Sequence, residues 1–135
     1  MATIVWIEDD TPIIDRTVWR IEEAGHTVIR IASMSEALQR TPEVLNSDLI
    51  LLDLITPEGP DNSETEFPGV GFLRALRKME VNVPPVVVLT WVSHDDEVMA
   101  QCVKLGVADI IQKPVSPSQL KERVDVVLGA QRSAI

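Results

Sequence analysis

Short apolar runs alternate with amphipathic stretches along the whole of this 135-residue chain. The alternation repeats five times, and each amphipathic stretch predicts one helix. The apolar runs predict five strands, near Thr3–Ile7, His26–Ile31, Leu49–Asp53, Pro85–Thr90 and Ala108–Gln112. Strands that alternate with helices in this way predict a doubly wound α/β domain with a parallel sheet, rather than a helical bundle or a β-sandwich.

The third predicted strand has the strongest signal of burial. Leu49 to Leu52 are four successive large aliphatic residues between two acids, which is typical of a parallel strand covered on both faces. The second strand, Val28–Ile31, alternates more, and this predicts a position at the edge of the sheet. Asp53 therefore lies where a central strand ends, and ligands of open α/β sheets bind at that end of the strands.

Helix starts are marked by capping residues. The first helix is predicted to begin about Pro12, with Asp10 or Thr11 as its cap. Two later helices open with capping-box spacing, at Ser33–Glu36 and Ser116–Gln119.

The connection after Asp53 is longer than this fold needs. Residues 58–68 contain four acids and no basic residue, whereas such loops usually have about two to six residues. We interpret the segment as a solvated acidic insertion. A lid or docking loop is the alternative, because the segment leaves the sheet directly after a candidate site.

Composition and charge limit the class of protein. The hydrophobic content of 45% is ordinary for one globular domain, and we predict that domain over residues 1–130, with a tail or linker start at 131–135. No apolar run approaches the roughly 20 residues that span a bilayer. With no export signal and a single cysteine, Cys102, we expect a cytoplasmic protein with a buried thiol. A net charge of −9 argues against direct nucleic-acid binding and favours a cation or a basic partner.

Chemically useful side chains follow four of the predicted strands. In chain order they are Glu8 with Asp9, Asp53, Thr90 and Lys113. Because parallel strands end at one edge of the sheet, these groups should converge there. Clustered carboxylates repel one another unless a cation intervenes, and Mg²⁺ typically takes a few carboxylates together with waters and a phosphate. The pattern predicts a Mg²⁺ site.

The same groups suit phosphoryl transfer to a carboxylate. Asp53 can attack phosphorus through oxygen, while Thr90 and Lys113 can donate to the phosphoryl oxygens. The set contains no general acid. An acyl phosphate on Asp53 should therefore persist until water or a partner removes it.

Four motifs resemble the receiver domain of two-component response regulators, the CheY-like family. They are Ile7-Glu8-Asp9-Asp10, Leu51-Leu52-Asp53-Leu54, Val88-Leu89-Thr90 and Gln112-Lys113-Pro114. Their order and spacing extend the resemblance over nearly the whole chain. It implies a flavodoxin-like (βα)5 fold with three α/β/α layers and a parallel sheet in the strand order 2-1-3-4-5.

The resemblance also implies roles for individual residues. Asp53 would be the phosphoacceptor, and Mg²⁺ would be held by Glu8, Asp9 and Asp53 together with the backbone carbonyl of Ile55. Thr90 would be the switch hydroxyl, with Lys113 as its charge partner.

Partners follow from the same resemblance. The phosphodonor would be a histidine kinase or a histidine phosphotransfer protein. The chain would not be an enzyme with a separate substrate, since it would catalyse only its own phosphorylation and slow dephosphorylation. An effector domain or a second copy would use the face formed by the fourth helix, fifth strand and fifth helix, near Val98, Ile111 and Val124.

Four positions depart from the family pattern. Trp91 stands where a small residue usually follows the switch hydroxyl, and Ile110 stands where a rotating aromatic is common. Ile55 and Val92 occupy positions that tune the lifetime of the acyl phosphate. Because neither can orient a water, we predict slow self-hydrolysis.

Two other classes of function remain open. Trp91, Ile110 and the acidic segment favour a receiver-fold interaction module that works without phosphate. A metal-dependent phosphatase resembling haloacid-dehalogenase-like enzymes is less favoured. Such enzymes need a second Asp two residues after the nucleophile, where this chain has Ile55.

Overall fold

The computed structural model describes residues 1–55, 68–79, 81–91 and 96–133. The acidic segment, apart from Pro68, lies outside the described residues, as does Val92.

The described residues form a parallel sheet between two layers of helices. Its strands are β1 (Thr3–Ile7), β2 (Thr27–Ile31), β3 (Leu49–Leu52), β4 (Val86–Thr90) and β5 (Asp109–Gln112), in the order β2-β1-β3-β4-β5. The helices are α1 (Thr11–Glu23), α2 (Met34–Gln39), α3 (Thr41–Asn46), α4 (Pro68–Lys78), α5 (Asp96–Lys104) and α6 (Pro117–Ser133). The predicted doubly wound fold, its strand order and the edge position of β2 are confirmed.

The predicted helix starts are also confirmed. The side chain of Asp10 accepts a hydrogen bond from the backbone N–H of Ile13 and caps α1. Ser33 caps α2 in the same way, and Ser116 accepts from the backbone N–H of Gln119 at the start of α6. These side chains satisfy backbone donors that have no partner inside their helices.

The helical segment between β2 and β3 differs from the prediction of a single helix. It is divided into α2 and α3, and Arg40 ends the first and precedes the second. Pro42 lies in the first turn of α3. Proline lacks the N–H that a continuous helix would need at this position, and its ring would clash with the preceding turn.

Each face of the sheet has its own apolar core. Trp6 and Leu51 pack with the apolar stripes of α1 and α6 on one face, and Cys102 is buried on the other face with α4 and α5, as expected for a structural thiol. None of the helices in the described part of the chain is both long and apolar enough to cross a membrane.

Three residues expected near a partner surface belong to these cores instead. Val98, Ile111 and Val124 are all buried, because their positions face the sheet or lie within it. Among the described residues of α5 and α6, the large apolar side chains that are exposed are Val103 and Val126.

Candidate functional site

Three carboxylates meet at the carboxyl end of the central strands. Glu8 and Asp9 follow β1, and Asp53 follows β3. The backbone N–H of Asp53 donates a hydrogen bond to the carbonyl of Ile7 and so holds the end of β3 beside the end of β1. A carboxylate oxygen from each acid lies within 4.8 Å of the other two. Glu8 and Asp53 are buried, whereas Asp9 is exposed. The adjacent parallel strands therefore bring together the acids that the sequence separates.

Lys113 joins the two buried acids. Its Nζ lies 2.5 Å from Oε2 of Glu8 and 3.1 Å from Oδ2 of Asp53. The backbone N–H of Lys113 donates to the carbonyl of Thr90, which holds the end of β5 beside β4. The peptide bond from Lys113 to Pro114 is cis. One ammonium group thus bridges the candidate nucleophile and a candidate metal ligand.

The environment of Glu8 raises the pKa of its carboxyl group strongly. Burial raises the pKa of its carboxyl group, the hydrogen bond from Lys113 lowers it, and the nearby charge of Asp53 raises it again, so that the pKa is about 7. A single ammonium does not balance two buried carboxylates and the exposed Asp9. The cluster therefore carries negative charge that a divalent cation would neutralise.

The donor set fits Mg²⁺. Carboxylate oxygens are the ligands that this hard cation prefers, and it commonly takes few of them from the protein. The group formed by Glu8, Asp9 and Asp53 supplies three such oxygens within a small space.

A tight turn follows Asp53. The N–H of Ile55 donates to Oδ1 of Asp53 at 3.1 Å, which orients the carboxylate. The N–H of Gly69, in the first turn of α4, donates to the carbonyl of Leu54 at 2.8 Å. A Cβ atom at Gly69 would lie 2.5 Å from the Cα of Leu54, so only glycine permits this approach. The start of α4 therefore packs directly on this turn, residues 53–55, which we call the acceptor turn.

The remaining predicted residues lie around this cluster. Thr90 is fully buried at the end of β4. Trp91, the next residue, is 50% exposed, and its ring centre lies 6.0 Å from Nζ of Lys113. Ile110 is partly buried and packs against the core on the α4 and α5 face. The structure thus places the unusual indole group over the lysine of the site.

A cleft beside Lys113 was not predicted from the sequence. Its residues come from α1, from the end of β4 and from the segment between β5 and α6, and they include Arg16 and Trp91. The spacing of Pro12 and Arg16 predicts a shared helix face. No sequence signal shows that this face lies opposite Trp91.

Comparison with known proteins identifies the family. The family model of the response regulator receiver domain matches residues 4–125, and the chain belongs to this family. Among curated proteins, PhoB of Pseudomonas aeruginosa is 30% identical over 131 residues, which cover 93% of this chain and 51% of that protein. PhoP of Bacillus subtilis is 26% identical over 125 residues, which cover 93% and 48%. The chain spans about half the length of these relatives.

Solved structures agree with the assignment of the fold. A CheY-like receiver domain protein from Methanospirillum hungatei superposes with a TM-score of 0.81 at 24% identity and covers 100% of this chain and 99% of that one. The receiver domain of the Francisella response regulator 1452 gives a TM-score of 0.79 at 25% identity, with coverage of 97% and 99%.

Proposed function

We propose that this chain is the phosphoacceptor receiver of a two-component phosphorelay. A carboxylate oxygen of Asp53 attacks phosphorus, the N–P bond of a partner phosphohistidine breaks, and the imidazole leaves. The partner is a histidine kinase or a histidine phosphotransfer protein. The observation that carries the proposal is the hydrogen bond from Lys113 to the buried Asp53, beside the Glu8 and Asp9 carboxylates.

Each residue around Asp53 has a proposed part in that reaction. The hydrogen bond from the N–H of Ile55 orients the carboxylate of Asp53. After the transfer, Lys113 would donate a hydrogen bond to an oxygen of the phosphoryl group on Asp53. Glu8, Asp9, Asp53 and the carbonyl of Ile55 would hold Mg²⁺. When bound, Mg²⁺ neutralises charge on the phosphoryl oxygens.

The output of the domain is proposed to pass through Thr90. Its hydroxyl would turn toward the phosphoryl group, as the family resemblance implies. Ile110 lacks the bulk of a rotating aromatic, so the movement would reach the surface through a smaller side chain. The surface formed by α5, β5 and α6, where Val103 and Val126 are exposed, would then bind an effector domain or a second copy of the chain.

The boundaries of the domain belong to the same proposal. Residues 1–130 would form the receiver, with the acidic segment 58–68 inserted before α4, and residues 131–135 would begin a tail or linker. PhoP and PhoB are named transcriptional regulatory proteins. Because this domain spans about half the length of PhoP and PhoB, an effector domain that regulates transcription would be a suitable partner. The proposed location of the protein is the cytoplasm.

A phosphate-independent interaction module is the second candidate. The position of Trp91 over Lys113 favours it, because the indole ring narrows the approach to the ammonium group and to Asp53. In that case the acidic site would be structural, and the surface would bind a partner without any covalent change.

Intact mass spectrometry distinguishes the two. The chain is incubated with acetyl phosphate and Mg²⁺, beside a metal-free sample, Asp53→Asn and the control variant Asp125→Asn. A receiver gains one phosphoryl group only with Mg²⁺, keeps it for long periods, and loses the ability in Asp53→Asn but not in Asp125→Asn. If neither acetyl phosphate nor a phosphorylated histidine kinase modifies the wild type, the interaction module becomes the better account.

A further inference from the structure

A cleft of about 510 Å³ opens beside the phosphorylation site. It is lined by Pro12 and Ile13 of α1, by Leu89 and Trp91 at the end of β4, and by Pro114 after β5. This volume lies within the range of small-molecule sites, which are concave, mostly apolar and contain a few polar groups. Rigid proline rings and an indole ring suit a flat occupant better than a flexible chain.

Trp91 supplies the aromatic surface of the cleft. Its side chain is half exposed, and Lys113 lies 6.0 Å from its ring centre. Aromatic rings pack favourably against one another in offset or edge-to-face arrangements. The exposed part of the indole ring is therefore a surface on which a second flat ring would be stabilised.

Arg16 supplies an available positive charge at the rim. Its neighbour Asp15 already pairs with Arg30 at 2.6 Å, and no hydrogen bond or ion pair of Arg16 occurs with any residue in the described ranges. Asp10 lines the other end of the cleft, where its carboxylate caps α1. Arg16 lies six positions after Asp10, a rise of about 9 Å along the helix axis, so the two opposite charges are at different levels of α1.

We propose that this cleft binds a small planar aromatic anion, with its ring against Trp91 and its acid group on Arg16. The hydroxyl of Thr17, which also lines the cleft, already donates to the carbonyl of Ile13. The ammonium group of Lys113, another lining residue, already binds Glu8 and Asp53. Arg16 is therefore the group that selects the charge. The proposal does not depend on phosphorylation of Asp53, because neither the ring nor the acid contacts that carboxylate.

Three probes with the same naphthalene ring and different charge test the proposal. Naphthalene-2-sulfonate, 2-naphthylmethylammonium and 2-naphthylmethanol are titrated into the full chain by calorimetry. We expect the sulfonate to bind one to one with a dissociation constant on the order of 1 mM or tighter. The ammonium probe should bind at least about tenfold more weakly, since it places a like charge near Arg16.

Matched variants assign the binding to the cleft. Arg16→Gln and Trp91→Ala should each weaken sulfonate binding by about tenfold. Lys104→Gln removes the same charge from α5, and Trp19→Ala removes an indole that is equally exposed, at 49%; neither should change the affinity. Circular dichroism confirms that all four variants fold.

Several results would overturn the proposal. Equal affinity for the sulfonate and the ammonium probe would show that Arg16 does not select the charge of the ligand. An unchanged affinity of Arg16→Gln for the sulfonate would show the same. If no probe saturates, the cleft does not bind small aromatic anions, and an apolar side chain of a partner protein is the better occupant.

Discussion

Nζ of Lys113 lies 3.1 Å from Oδ2 of Asp53, although the two residues are 60 positions apart in the chain. The same ammonium group binds Glu8, so one cation holds the ends of β1, β3 and β5 together at the site. Both carboxylates are buried, and their charges repel unless a positive group lies between them. Lys113 is consequently important for the stability of the fold as well as for the proposed chemistry.

Lys113→Met should destabilise the metal-free protein by about 3 kcal/mol, because it leaves two buried acids without their cation. Mg²⁺ should restore part of that loss, since a ligand that binds only the folded state stabilises it. Urea unfolding with and without Mg²⁺ measures both effects. The control is Lys121→Met: Lys121 also bonds a carboxylate, that of Asp125, at 2.6 Å, but its side chain is 35% exposed, and its loss should cost less than about 1 kcal/mol. Equal losses in the two variants would contradict this account.

Gly69→Ala should destabilise the protein by about 2 kcal/mol, because its Cβ atom would lie 2.5 Å from the backbone of Leu54. The acceptor turn would have to move, so Mg²⁺ affinity should fall as well. Gly129→Ala is the matched control. Apart from its chain neighbours and the backbone of its own helix, no described atom lies within 4 Å of that Cβ position in α6, and the helix should become more stable by roughly 0.5–1 kcal/mol. The midpoints of urea unfolding test both the loss of stability in Gly69→Ala and the gain in Gly129→Ala.

Asp125 should make stability depend on pH in acid. Burial raises the pKa of this carboxyl group, but hydrogen bonds from Lys121 and His26 together lower it below its ordinary value. A depressed pKa stabilises the folded state at pH values above the unfolded pKa, near 3.9, and this contribution is lost as the pH falls through the folded pKa.

The wild type should therefore be more stable than Asp125→Asn by less than about 1 kcal/mol near neutral pH, a partly exposed pair being weak. The difference should shrink below about pH 4. Lys121→Gln should show a weaker pH dependence than the wild type. A difference between the wild type and Asp125→Asn that grows in acid would refute the assignment.

Ile55→Asn should shorten the lifetime of an acyl phosphate on Asp53. The Ile55 side chain is 44% exposed in the turn beside that carboxylate, and an amide there could orient an attacking water. We expect decay to be roughly tenfold faster, less than the full contribution of a positioned general base. Leu38→Asn, an equally exposed apolar residue on α2 at 43%, should leave the decay rate unchanged. Intact mass followed over time measures the rate.

Much of the fold was predictable from local patterns. The uninterrupted aliphatic run of β3 and the alternation in β2 predicted which strand is central and which lies at an edge, because burial on one or two faces selects residues directly. Helix starts were equally visible, since capping is a contact between residues three positions apart. The division between α2 and α3 was not predicted, although Pro42 signals it, because the five-fold alternation favours a single helix in each amphipathic stretch.

The exposed fraction of individual helix side chains was less predictable. Trp19 of α1 is 49% exposed, and Val98 is buried where a partner surface was expected. A helix pattern shows which side is apolar. It does not show how much of a large side chain extends beyond the contact.

The sequence by itself determined that acids, a hydroxyl and a lysine would end successive strands at one edge of a parallel sheet. That result needs only the strand assignments and the rule that parallel strands end on the same side. The tertiary structure alone decided that Lys113 bridges Glu8 and Asp53, and that Arg16 shares a cleft with Trp91. These contacts depend on packing between elements far apart in the chain, and residue spacing along one element contains no information about such distances.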